Sequence, residues 1–84
     1  MALALQAQTS TVFGMITHRN KQPATKVLVS IARKIAYTDD SGRYRIDGVP
    51  LGSQKMAISK EGAVLLQTEV AIKGKQQRLD KQIP

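Results

Sequence analysis

Cysteine is absent from this 84-residue chain. That excludes a disulfide framework, thiolate zinc sites and cysteine nucleophiles, while leaving the compartment open, because an oxidising location does not require disulfides. Trp is absent too, and the aromatic residues are one Phe and two Tyr. A stacking platform for single-stranded nucleic acid, which interleaves rings with basic side chains, lacks its rings here. The single histidine, His18, stands in a polar stretch beside Arg19 and Lys21. No spacing motif supplies the further ligands and supporting groups of a metal centre, and His18 reads as a solvated loop residue. Asp39, Asp40 and Asp47 lack the alternating acidic positions of a calcium loop and read as turn-capping residues. No metal or cofactor is expected.

Long hydrophobic runs are missing as well. Met1–Gln8 is apolar for five residues and then polar, too short for a transmembrane helix or a full signal-peptide core. Residues 1–10 therefore read as an arm, a tail or linker, or the remnant of a clipped signal, and residues 11–84 as one domain. A chain this short holds one core and buries only about 60–65% of the surface its unfolded form exposes. Little stability is spare for a deep catalytic cleft.

What the chain does have is alternation. From Thr11 onward apolar residues recur mostly at every second position, the period of a strand with one face buried, and helical spacing is nowhere sustained. Val12, Gly14 and Ile16 share one face of a first strand. Val27, Val29 and Ile31 share one face of a second, with Lys26, Leu28 and Ser30 opposite. A short segment Ile35–Thr38 leads into Asp39-Asp40-Ser41-Gly42, a hairpin turn in which short polar side chains bond nearby amides. Tyr44 and Ile46 then point one way, Arg43 and Arg45 the other. Asp47-Gly48-Val49-Pro50-Leu51-Gly52 is expected to break the pairing, since Pro50 donates no ladder bond and belongs at a connection or an edge. Gln54, Met56 and Ile58 alternate, Glu61-Gly62 turns, and Val64, Leu66, Thr68, Val70 and Ile72 give the longest regular alternation. After a turn at Lys73-Gly74-Lys75, Leu79 and Ile83 are the inward residues of a last edge strand blunted by Lys81 and Pro84. Turn signals at roughly ten-residue intervals predict an all-β sandwich or small barrel, and the fold expected is a small antiparallel Greek-key sandwich of about seven strands.

Several segments resemble, in order and spacing, the carboxypeptidase regulatory-like family: Val12-Phe13-Gly14-Met15-Ile16, Gln22-Pro23-Ala24, Val27-Leu28-Val29, Thr38-Asp39-Asp40-Ser41-Gly42-Arg43-Tyr44 and Val49-Pro50-Leu51-Gly52. The similarity spans residues 11–72. It implies a transthyretin-like sandwich and a non-enzymatic accessory role in secreted, surface or cell-envelope proteins. The chain departs from the family where Gln54 and Ala63 stand at positions often aromatic. Transthyretin-like folds also include a ureide hydrolase, but that enzyme needs several histidines, and this chain has one.

The formal charge is +7, from 13 Lys and Arg against 6 Asp and Glu. Such a balance attracts acidic proteins, anionic polymers or membrane surfaces without specifying among them. Lys26, Arg33, Lys34, Arg43 and Arg45 form a candidate partner-binding set if the second strand and the Tyr44 hairpin converge. The leading expectation is a non-catalytic interaction or spacer module that docks to a protein partner or adjacent domain. Electrostatic recognition of a polysaccharide, lipid headgroup or nucleic acid is the alternative.

Overall fold

The structure is a computed structural model and describes residues 8–84. Most of the expected N-terminal arm thus lies outside the described residues, although Thr9 and Ser10 already belong to the first strand. Eight strands follow in order: β1 (Thr9–Thr17), β2 (Leu28–Ile31), β3 (Lys34–Tyr37), β4 (Arg43–Pro50), β5 (Gly52–Lys60), β6 (Ala63–Ile72), β7 (Gln76–Arg78) and β8 (Lys81–Gln82). They form two sheets. One runs β4-β1-β7, with β8 continuing the pairing along β1; the other runs β3-β2-β5-β6. The all-β sandwich expected from the alternation is the architecture observed.

The core is the inner half of that alternation. Val12, Ile16, Tyr44, Ile46 and Val49 from the first sheet meet Val29, Ile31, Met56, Ile58, Val70 and Ile72 from the second and Val27 just before β2, and all are buried. β-Branched residues dominate because they fit a pleated, half-buried surface at little rotamer cost. The Asp39 turn folds as its chemistry requires. One carboxylate oxygen of Asp39 accepts hydrogen bonds from the backbone N–H groups of Ser41 and Arg43, each at 2.9 Å. Gly42, at φ 76°, closes the turn in a conformation that glycine adopts freely. Buried Thr38 ties the loop before β2 to this hairpin: its Oγ1 accepts from Val27 N–H at 3.0 Å and donates to the Ala24 carbonyl at 2.7 Å.

Two expectations are corrected. Asp47–Gly52 does not break the pairing, since β4 runs through to Pro50, paired with Thr9, and only Leu51 separates it from β5. The turn-like Asp47-Gly48 is instead a β-bulge. Ser10 faces Val49 and Val12 faces Ile46, so two residues of β4 stand against Thr11 alone, and Gly48 takes φ 71°. Such an insertion bends a strand without ending it. Pro50 is tolerated because β4 is an edge.

The sandwich is also not wholly antiparallel. β7 and β8 pair with β1 in parallel. The chain leaves β6 on one sheet, crosses at Lys73–Lys75 and arrives on the other running in the direction of β1. Leu79 N–H donates to the Phe13 carbonyl and Ile83 N–H to the Thr17 carbonyl, both at 2.8 Å. Ile83 is buried as expected and Leu79 packs against the core. Tyr44 secures this C-terminal segment, donating its hydroxyl proton to the Leu79 carbonyl at 2.7 Å. Burial of the phenol, and secondarily the negative charge of Asp80, push the Tyr44 pKa well above its ordinary value, so it stays a neutral donor.

Candidate functional site

Each sheet leaves one face to solvent, and the two faces differ in chemistry. On the first sheet the outward residues of β1 are Thr11, Phe13 and Met15, all half-buried. Register places Arg45 and Arg78 on either side of Phe13, and Arg43 beside Met15. Phe13, Met15, Arg43 and Arg78 together line a shallow groove. The positive charge there is largely answered locally. Arg45 Nε lies 3.1 Å from Asp47 and Arg78 Nε 3.1 Å from Asp80. Asp47 also accepts from the Thr11 hydroxyl at 3.0 Å, and Asp80 accepts from Met15 N–H at 2.9 Å. The Arg45 hydrogen bond, followed by that of Thr11, holds the Asp47 carboxyl below its usual value. Arg43 makes no ion pair among the described residues.

On the second sheet, register aligns Tyr37, Leu28, Ser59 and Val64 in one cross-strand row, and Ile35, Ser30, Ala57 and Gln67 in the next. These are the outward positions of β3, β2, β5 and β6. Ile35, Tyr37 and Val64 are 59%, 66% and 61% exposed and are the large hydrophobic residues that the described chain presents to water. All three lie on this face, separated by the small side chains of Ser30, Ala57 and Ser59. Isolated exposed apolar residues are ordinary, whereas a contiguous set rimmed by polar groups marks an interaction surface.

The five basic residues singled out from the sequence do not form one patch. Lys26 flanks the apolar face at one end, in a groove with Leu28, Tyr37, Ser59 and Glu61. Arg33 flanks it at the other, in a groove with Ser30, Lys55, Ala57 and Gln67. Both occupy left-handed backbone positions, φ 56° and 71°. Lys34 turns toward the neighbouring sheet edge and lies over Gly48, its Nζ 3.4 Å from where a β-carbon on that glycine would stand. Arg43 and Arg45 are on the opposite face of the molecule. Strand alternation explains the separation, because β4 belongs to the other sheet and directs its polar side chains away from β2. Sequence reasoning gave Ile35 and Tyr37 no face and set Val64 in phase with the inward residues Leu66 and Val70; that expectation is corrected, because the register shift that inserts Leu65 turns Val64 to water. Leu28, an apolar side chain on the polar side of its strand, was the available signal. Arg78 carried no such signal, since only the parallel pairing of β7 with β1 brings it to Phe13.

Elsewhere, His18 is half-buried in the loop after β1, where its N–H donates to Gln22 O at 2.8 Å and its carbonyl accepts from Lys21 N–H at 2.9 Å. Among the described residues no group of three or more His, Cys, Asp or Glu is placed to hold a metal ion, and no helix is long and apolar enough to cross a membrane.

No family model and no curated protein matches the sequence. Solved structures share the fold. The major pilin subunit of Bacillus cereus aligns with a TM-score of 0.70 at 14% identity, over 90% of this chain and 29% of the pilin chain. Two interface mutants of a type II cohesin–X–dockerin complex from Acetivibrio cellulolyticus align with TM-scores of 0.65 and 0.64. Both are 24% identical over 86% of this chain and 52% of theirs. The chain thus spans about a third to a half of the proteins whose fold it shares.

Proposed function

We propose that this sandwich is a non-catalytic docking module of the carboxypeptidase regulatory-like kind, which holds a protein partner or a neighbouring domain against the outer face of its β3-β2-β5-β6 sheet. The observation that carries the reading is the gathering of Ile35, Tyr37 and Val64, with half-buried Leu28, on that one face. Burying aromatic and aliphatic side chains at the centre of a contact supplies most of its energy, while the charged rim sets orientation and encounter rate. Lys26 and Arg33 at the two ends of the face are that rim, and they favour a partner with acidic residues around an apolar centre. Arg43 and Arg45, on the far face, stay outside this contact. The pilin and the cohesin–X–dockerin complex are proteins with a similar fold that form part of larger assemblies by name. They support placing this module in the cell envelope or in an extracellular assembly.

Recognition of an anionic polymer is the weaker reading, since Arg45 and Arg78 are engaged by Asp47 and Asp80. The test is copurification of the tagged chain with its native assembly. Ile35→Asp with Tyr37→Asp is expected to abolish the association while circular dichroism still reports a folded sandwich, and Arg43→Ala with Arg45→Ala to leave it intact. The reverse pattern would overturn the assignment and restore the charged face as the functional one.

A further inference from the structure

The four sheet edges are not equally protected. An unpaired edge strand is a template for another strand, and proteins ordinarily blunt it with charge, proline, brevity or cover. β3 and β4 lie beside one another at one side of the sandwich, with Lys34 reaching across to Gly48. β4 further carries Arg43, Arg45, a bulge and Pro50. β7 is three residues long. β6, by contrast, has ten residues, Ala63–Ile72, with Glu69 its single charge and no proline, and among the described residues it pairs only with β5.

Side-chain bonds at the end of β6 reveal which backbone groups face that open edge. The Gln77 amide donates to the Ala71 carbonyl at 2.8 Å and accepts from Lys73 N–H at 2.7 Å, so Gln77, arriving from the far side, caps the outward groups of Ala71 and Lys73. In a strand the N–H and C=O of one residue point to the same side, and alternate residues share that side. The outward groups of the uncapped stretch therefore belong to Gln67 and Glu69, while those of Leu66, Thr68 and Val70 are committed to β5. Among the described residues, the Glu69 carbonyl has only a long 3.5 Å contact from the Thr68 hydroxyl. The stretch is bounded at one end by the Gln77 cap and at the other by a register shift, which inserts Leu65 between the pairs Ser59–Val64 and Ile58–Leu66.

We infer that this edge pairs with the same edge of a second copy, antiparallel about a two-fold axis at Thr68, joining two four-stranded sheets into one. The register follows from the bounded length and from charge. Centring on Thr68 sets Gln67 opposite the partner's Glu69 and Glu69 opposite the partner's Gln67, both as hydrogen-bonded pairs, and Leu66 opposite the partner's Val70. The two Glu69 carboxylates are thereby kept from facing one another, and like charges directly opposite are what such a pair avoids. Face-to-face association through the Tyr37 surface would instead bring Lys26 and Arg33 of both copies to one contact on a chain of charge +7. The β6 edge carries one charged residue in ten, Glu69. Joining sheets end to end also leaves the Tyr37 face open and doubled, so the two contacts are compatible.

Sedimentation velocity of the purified chain, across micromolar to millimolar concentration, tests the pairing. A reversible monomer–dimer equilibrium is expected. Gln67→Lys, which places an ammonium opposite the partner's Glu69 in both symmetric pairs, should tighten it by about tenfold, and Gln67→Glu should weaken it by about tenfold. Gln67→Pro removes an outward N–H without touching the β5 ladder, and should abolish the dimer while circular dichroism stays unchanged. A monomer at every concentration would overturn the inference. So would a dimer indifferent to the charge at residue 67, or one lost instead in Tyr37→Asp.

Discussion

Gly14→Ala is the most severe single-atom change that the structure defines. Gly14 lies in the middle of β1, beneath the crossing of the C-terminal segment. A β-carbon added there would collide with the Leu79 carbonyl group, its carbon 2.6 Å away, and would stand 2.9 Å from Asp80 Oδ1. Backbone cannot yield as the end of a flexible side chain can, so the segment must lift. Three hydrogen bonds hang on its position: Leu79 N–H to Phe13 O, Tyr44 Oη to Leu79 O, and Met15 N–H to Asp80 Oδ1. At about 1 kcal/mol each their loss costs about 3 kcal/mol. Alanine restricts the unfolded chain, returning about 0.4–1 kcal/mol, which leaves a net loss of about 2–2.6 kcal/mol. For a domain of this size that lowers Tm by roughly 8–20 °C. Urea and thermal unfolding measure the loss, and amide exchange should localise it to Leu79 and Ile83. Tyr44→Phe alone should cost about 1 kcal/mol but nearly nothing on the Gly14→Ala background, because the acceptor has already moved. A change within about 0.5 kcal/mol, or strict additivity of the two substitutions, would refute the parallel strap.

Further expectations concern single polar groups. Thr38→Val removes a buried hydroxyl that serves both Val27 N–H and Ala24 O, and should destabilise the fold by about 2–4 kcal/mol in urea denaturation, since both backbone groups are left unpaired. Ser10 is its opposite: its Oγ is buried with no hydrogen-bond partner among the described residues. Ser10→Ala should therefore be neutral or stabilising by up to about 1 kcal/mol, read as an unchanged or raised Tm. The Asp39 carboxyl is held below its ordinary 3.8, first by the Arg43 N–H and then by that of Ser41. The unfolded state therefore binds more protons than the folded one as pH falls through 3.8 and below, and stability is lost across that window while remaining flat above it. Asp39→Asn should lower stability at neutral pH and shallow the acid limb of a pH-dependent denaturation curve.

The fold was legible because its core obeys one period. Val27, Val29, Ile31, Met56, Ile58, Val70 and Ile72 alternate without interruption, and burial follows them residue by residue. Asp39-Asp40-Ser41-Gly42 was equally readable, because the turn is closed by its own side chain. Two features were not. Asp47-Gly48 carries the chemistry of a turn, yet a bulge uses the same positive φ and the same polar side chain, and only the partner strand distinguishes them. The parallel arrival of β7 and β8 depends on which sheet the chain enters after Lys75, a long-range choice that local propensity does not encode. The placement of the basic set was not legible: Lys26 and Arg33 come to the two ends of the apolar face, Lys34 lies over Gly48, and the allocation of strands to sheets carries Arg43 and Arg45 to the other side. Tyr37 and Ile35, in a four-residue strand, gave too short a pattern to reveal that their apolar phase faces water.

Whether the molecule works through the outer face of the β3-β2-β5-β6 sheet is answered most directly by hydrogen–deuterium exchange of the chain, free and within the assembly that copurifies with it. Added protection is expected in Leu28–Ile31, Lys34–Tyr37 and the Val64 end of β6. Protection gained instead around Phe13, Arg43, Arg45 and Arg78, with β2 and β3 exchanging as in the free chain, would contradict the account.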